Sequence, residues 1–329
     1  MIDLSLKYMG LTLSNPIIAS SSGLTNSLDN IIKLAENGVG AVVLQSLYEE
    51  EIVTELKQNF RDISLKNNVQ TESMNFYKNI NVEDTLTSYL SLITNCKKRL
   101  KIPIIASINC ISSDYWPYFT ELIQKSGADG LELNISINTY DPNYKTNQSI
   151  EMYYKIIEAV KKHITIPIAI KISPFFSEIT STLTKLSETE IDGMVLFNKF
   201  YSPDIDINKV KLIDDHKYSS ENDYSLPLRS IGVLSKRAHC DLSASTGIHN
   251  SEVLIKMLLA GAKTVHIASV LYKNGFEHLG KMRFELETWM KEHNYSTIND
   301  FRGILSQDVN INQAAHSRVQ FMQHYNEKG

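Results

Sequence analysis

Pro167-Ile168-Ala169-Ile170-Lys171-Ile172 is an extended run, apolar on both faces except for one lysine. A strand with two apolar faces belongs in a parallel sheet covered by helices, not at a solvated surface. Moving outward, runs of the same kind recur upstream at 130–134, 103–108, 41–45 and 17–19, and downstream at 193–197, 241–245 and 264–267. Segments of helical period lie between and after them, at 27–37, 82–100, 115–126, 150–163, 177–188, 228–239, 251–260 and 277–293. Three close on Asn37-Gly38, Ser126-Gly127 and Ala260-Gly261, and glycine there accepts the left-handed conformation that stops a helix. Eight strand–helix units in succession, with no long linker, predict an α/β fold of the (β/α)8 TIM-barrel type. The rival is a doubly wound, Rossmann-like sheet, and the absence of GxGxxG after the first strand weakens it.

The 329 residues read as one barrel domain. Residues 1–14 alternate through Leu4, Leu6, Tyr8, Leu11 and Leu13 around Gly10, which predicts a β-hairpin at the barrel bottom. Residues 48–81 are polar and irregular, a length more often given to an active-site cover than to a linker. Residues 305–329 form a C-terminal tail.

Apolar residues at 43% and charged residues at 21% are the balance of an ordinary globular protein. A net charge of −4 with no basic cluster gives no reason to expect a nucleic acid or an anionic membrane as partner. Cys96, Cys110 and Cys240 make no CxxC pair, which argues against a zinc knuckle, an iron–sulfur site or a disulfide framework. No apolar leader follows Met1, and no apolar run is long enough to cross a bilayer, so the expected location is the cytoplasm.

Barrel enzymes build their sites from the C-terminal strand ends, and often hold a phosphate after strands 7 and 8. Here Ser245-Thr246-Gly247-Ile248 follows the seventh strand and Ala268-Ser269 the eighth, small residues that let backbone N–H groups approach an anion. Small residues also suit any strand-to-helix turn, but their paired occurrence favours the phosphate reading. Lys171 sits at a strand end, where burial is costly unless it meets an anion or a polarised ring; the plain alternative is a stem that snorkels to water. Asn134 and Asn198 end or follow strands 4 and 6 and offer amides to a planar heterocycle, or cap a turn. Asp204 and Asp206 are spaced like a metal pair, but no third ligand joins them, so no metal is expected and a solvated loop is the simpler reading. His249 and His266 stand isolated in sequence, the latter as a packed barrel residue. Trp116-Pro117-Tyr118 reads as helix packing, and the glutamates at 49–51 as a solvated loop face. A barrel handling sugar phosphates, with Lys171 forming a Schiff base, fits these features too.

Several of these pieces are similar to one family. Asn15-Pro16-Ile17-Ile18-Ala19-Ser20 resembles the first-strand motif of the dihydroorotate dehydrogenases, and Asn134-Ile135-Ser136 their strand-4 motif. Lys171 stands where the family has its flavin lysine. Thr246-Gly247-Ile248, Ala260-Gly261-Ala262 and residues 265–269 look like its phosphate motif, and Tyr295 to Gly303 resembles a stretch of its soluble branch. The resemblance runs from the hairpin to about residue 305.

It implies a TIM barrel that binds FMN and oxidises dihydroorotate, a small molecule, to orotate in pyrimidine biosynthesis, and it makes a homodimer a reasonable expectation. It places Ala19, Ser20, Gln45, Ser46, Asn134, Lys171, Ser245, Thr246, Gly247, Ala268 and Ser269 around the cofactor, and Asn134, Asn198 and Lys199 around the substrate. The departures are specific. The catalytic-base position holds Ile137, which cannot accept a proton, leaving Ser136 and Thr139 as weak candidates. Gln45 replaces a lysine, Lys199 a serine, and Thr246-Gly247 and Ala268-Ser269 stand for Gly-Gly and Gly-Thr; Asn75 is a loose candidate for the substrate loop. These changes leave open a paralogue with another substrate, one anionic enough to meet Lys199 included, and a flavin-binding protein without catalysis.

Overall fold

Strand residues alternate between the two faces of a sheet, and in a closed sheet one face points into the barrel. The computed structural model describes residues 2–48, 50–51, 83–110, 116–135, 146–199, 203–213, 218–308, 318–319 and 322. An antiparallel hairpin comes first, β1 (Leu6–Tyr8) and β2 (Leu11–Leu13), with Leu6 opposite Leu13. Eight parallel strands then close on themselves: β3 (Ile17–Ala19), β4 (Ala41–Val43), β6 (Ile104–Cys110), β7 (Gly130–Ile135), β8 (Ile168–Ile172), β9 (Gly193–Leu196), β12 (Asp241–Ser245) and β13 (Thr264–Ile267), with β13 returning to pair β3. Short β5 (Leu47–Tyr48) adds to the edge of β6.

Helices clothe the outside: α1 (Leu28–Glu36), α2 (Glu83–Arg99), α3 (Trp116–Lys125), α4 (Thr146–Lys161), α5 (Ile179–Ser187), α6 (Ser225–Leu234), α7 (Ser251–Ala260), short α8 (Ser269–Asn274) and α9 (His278–Glu292). The protein is a (β/α)8 barrel, as the alternation predicts. Gly38, Gly127 and Gly261 all have positive φ at helix ends. The second strand stops at Val43, short of residue 45. Helix α6 starts a turn before the expected 228, because Pro227 fits the first helical turn, where its missing N–H removes no helix bond.

Alternation splits the core in two. Outward residues such as Val42, Leu131, Leu133, Ile170 and Val265 meet the helices. Inward Ile18, Val43, Ile105, Ala169 and Val195 meet Leu6, Tyr8, Met9 and Leu13 of the hairpin, which stoppers the barrel bottom. Met9 N–H donates to the Asp241 carboxylate at 2.9 Å, tying the stopper to the base of β12.

Two readings need correcting. The strands are not apolar on both faces throughout, because above the stopper the inward positions are Ser107, Glu132, Lys171, Ser243, Thr264 and His266, all buried. Asp204 and Asp206 are not a loop. They belong to the hairpin of β10 (Asp204–Asp206) and β11 (Lys211–Ile213), where Ile205 pairs with Leu212 and the Asp206 carboxylate accepts the N–H groups of Asn208 and Lys209 in the turn. Of the 48–81 segment only Tyr48, Glu50 and Glu51 are described, and Asn75 lies outside the described residues, as does most of the tail. No helix among the described residues is long and apolar enough to cross a membrane.

Candidate active site at the barrel mouth

The loops after β12 and β13 are neighbours because the strands are paired, Ser245 opposite His266. Thr246 and Gly247 both have positive φ, 78° and 80°, so the chain turns sharply away from the strand. The Thr246 hydroxyl donates to the Phe197 carbonyl at 2.9 Å and pins this turn to the end of β9. Among the described residues, no hydrogen bond takes the backbone N–H of Gly247, Ile248, Ser269 or Val270. Donors left open on two adjacent loops suit an anion such as a phosphate.

Ser219 links the loops. Its N–H donates to Ser269 Oγ at 3.0 Å, its hydroxyl lies 2.9 Å from His249 Nε2, and its carbonyl accepts from Lys273 at 3.2 Å. His249 is therefore not isolated; burial, then the Lys273 charge, holds its imidazole below the usual range. The single sequence gave no signal for Ser219, which lies in a polar stretch before α6.

Across the mouth, Lys171 is buried and donates to Ser20 Oγ at 3.0 Å; its Nζ lies 3.6 Å from Glu132 Oε1. Ala19 ends β3 and Ser20 follows it, and both are buried. The snorkelling alternative for Lys171 does not hold. Glu132 was missed by the sequence reading, although a glutamate inside Gly-Leu-Glu-Leu-Asn-Ile is the same kind of signal as Lys171 in its own strand. Burial raises the Glu132 carboxyl above the usual range, opposed by Lys171. His266 Nδ1 lies 3.6 Å from the other Glu132 oxygen. Burial first and Lys171 second push His266 well below its ordinary value, which favours the neutral ring. It is a packed barrel residue, but it joins this cluster and is not isolated.

Asn134 stands opposite Lys171 in register, and its side-chain oxygen accepts the Asn198 amide. Lys199, the next residue, pairs with Asp223 at 3.5 Å. Gln45 is exposed and Ser46 half-buried, and Ser46 Oγ sits between Ser21 Oγ at 3.0 Å and Ser107 Oγ at 2.8 Å. Gln45 and Ser46 line a cleft with Thr25, Asn26, Glu51 and Tyr89. Glu51 is half-buried, which raises its carboxyl, so the glutamates of this run are not simply a solvated face. Ser136, Ile137 and Thr139 lie outside the described residues.

The sequence model of the dihydroorotate dehydrogenase family matches residues 3–290. The catalytic subunit of a dihydroorotate dehydrogenase B (NAD(+)) from Thermoplasma volcanium is 24% identical over 315 residues, covering 92% of this chain and 99% of its own. The PreA subunit of the NAD-dependent dihydropyrimidine dehydrogenase of Escherichia coli K12 is 24% identical over 326 residues, covering 93% and 78%. A chloroplastic dihydropyrimidine dehydrogenase (NADP(+)) from Arabidopsis thaliana is 22% identical over 327 residues, covering 92% and 76%.

Proposed function

This chain belongs to the dihydroorotate dehydrogenase family, and from that premise we propose that it is an FMN-dependent oxidoreductase of dihydropyrimidine rings, with dihydroorotate the first substrate to test. The observation that carries the reading is the pair of adjacent loops whose backbone donors are unengaged among the described residues, together with a buried lysine at the same barrel mouth. In this reading Ser245, Thr246, Gly247, Ala268 and Ser269 hold the phosphate, while Ala19, Ser20, Gln45, Ser46 and Lys171 hold the ring. FMN, when bound, supplies the acceptor for a hydride. The chain's own work is positioning and charge: Lys171 presents a cation to the electron-rich edge, and the Asn134–Asn198 pair presents amides to the substrate ring. Ile137 offers no base, so the proton taken with the hydride must go to another group.

Charge pairing favours a second reading, an uncharged ring in place of dihydroorotate. Lys171 has Glu132 and Lys199 has Asp223, Gln45 is neutral, and Glu51 is a carboxylate at the cleft. A substrate carboxylate would meet no unpaired cation among these. Two of the relatives above are named for dihydropyrimidines. The experiment is anaerobic addition of dihydroorotate, and separately of dihydrouracil, to the flavin-loaded protein. Bleaching by dihydroorotate supports the first reading, and bleaching by dihydrouracil alone supports the second. Bleaching by neither removes dihydropyrimidines as substrates.

A further inference from the structure

The inward face of the barrel carries a charged pair that cofactor contact alone does not explain. Glu132 is 1% exposed, two residues deeper along β7 than Asn134 and on the same face. Lys171 on β8 and His266 on β13 each lie 3.6 Å from it, and its charge is felt at Tyr8 of the stopper and Tyr89 of α2. Among the described residues, neither ring nitrogen of His266, nor Glu132 Oε1, nor the Tyr8 hydroxyl has a hydrogen-bond partner. Lys171 is therefore the cation that compensates the carboxylate. A buried charge with its partner removed is costly.

From this geometry we propose that Glu132 is a positioning residue: it holds the Lys171 ammonium between itself and Ser20, and offsets its field, so setting how strongly the barrel mouth favours negative charge. The inference rests on the FMN reading above, because the charge that matters is the one the flavin gains on reduction. The ammonium is the nearer group to the mouth and Glu132 the deeper one. Their fields oppose, and the lysine prevails. Replacing Glu132 by a neutral side chain leaves the lysine unopposed and favours reduced flavin. Replacing Lys171 removes the dominant charge and disfavours it.

The test is a potentiometric titration of the bound flavin in the wild type, Glu132→Gln, Lys171→Met and the double variant, with urea unfolding of the same proteins freed of flavin. Glu132→Gln should hold reduced over oxidised flavin about tenfold more tightly, which is ~30 mV upward for a two-electron couple. Lys171→Met and the double variant should lie below the wild type. Each single change should lower the urea midpoint, with the double variant recovering part of the combined loss. A Glu132→Gln potential at or below that of the wild type overturns the proposal, as do additive losses in urea. Glu132→Met is the second neutral variant should the glutamine fail to fold. If both fail, the double variant must fold, since it leaves no orphan charge, and its failure also overturns the pairing. A wild type that takes up no flavin overturns the cofactor reading instead, and the urea cycle then still decides whether the pair exists.

Discussion

The two sides of the barrel mouth are made of different material. Beside β12 and β13 the groups that can meet a ligand are backbone N–H donors, presented by two turns. Beside β4, β7 and β9 they are side chains: Gln45, Ser46, Asn134, Asn198 and Lys199. A backbone donor survives a change of side chain, so in the proposed reading Thr246-Gly247 and Ala268-Ser269 do the work of the Gly-Gly and Gly-Thr that the family resemblance implies. A side-chain donor does not survive, and a lysine replaced by Gln45 is a charge lost. With the two sides built this way, cofactor binding can persist on one while the substrate changes on the other.

The largest expected effect attacks the backbone side. A Cβ on Gly247 would lie 2.2 Å from the Tyr224 nitrogen, and φ is +80°. Gly247→Val cannot relieve both, so we expect FMN affinity to fall at least about a hundredfold, with folding weakened by ~2–4 kcal/mol. Titration of the flavin-free protein with FMN measures this, and unchanged affinity would break the claim that backbone geometry builds this side. On the side-chain side, Asn198→Ala should leave FMN affinity within about threefold but slow flavin reduction by the working substrate about tenfold, the loss of one good hydrogen bond. Equal losses in both would merge the two sides into one.

The smallest effect concerns Lys199. Burial pushes the Asp223 carboxyl upward, but the hydroxyl and N–H of Ser220, together with Lys199, outweigh it and leave it below its ordinary value. A carboxylate depressed in the folded state adds stability that is complete above its unfolded value, near 4, and disappears as pH falls through the folded value. Urea unfolding of the wild type should therefore lose slightly more stability below about pH 4 than Asp223→Asn does. Identical acid profiles would show that Asp223 does not hold Lys199.

The barrel was legible because short buried strands such as 167–172 alternate with segments of helical period, three of which end on a glycine stop signal. The stopper was legible from the alternation of Leu6, Tyr8, Leu11 and Leu13. Hairpin β10–β11 was not, since Asp204 and Asp206 dominate a three-residue strand and Ile205 is 60% exposed, so no burial pattern marks it. Lys171 was found by being a charge in an apolar strand. Glu132 carries the same mark, but reading it needed the register that brings β7 beside β8. The Ser219 bridge between the loops after β12 and β13 depends on contacts 30 and 50 residues apart in sequence, which local pattern does not encode.

We propose that the backbone side still holds FMN although the substrate side has changed. The most direct measurement is the absorption spectrum of the freshly purified protein, with the released cofactor identified after heating. Flavin bands and equimolar FMN are the predicted result. A colourless protein that takes up no FMN on incubation would overturn the cofactor reading.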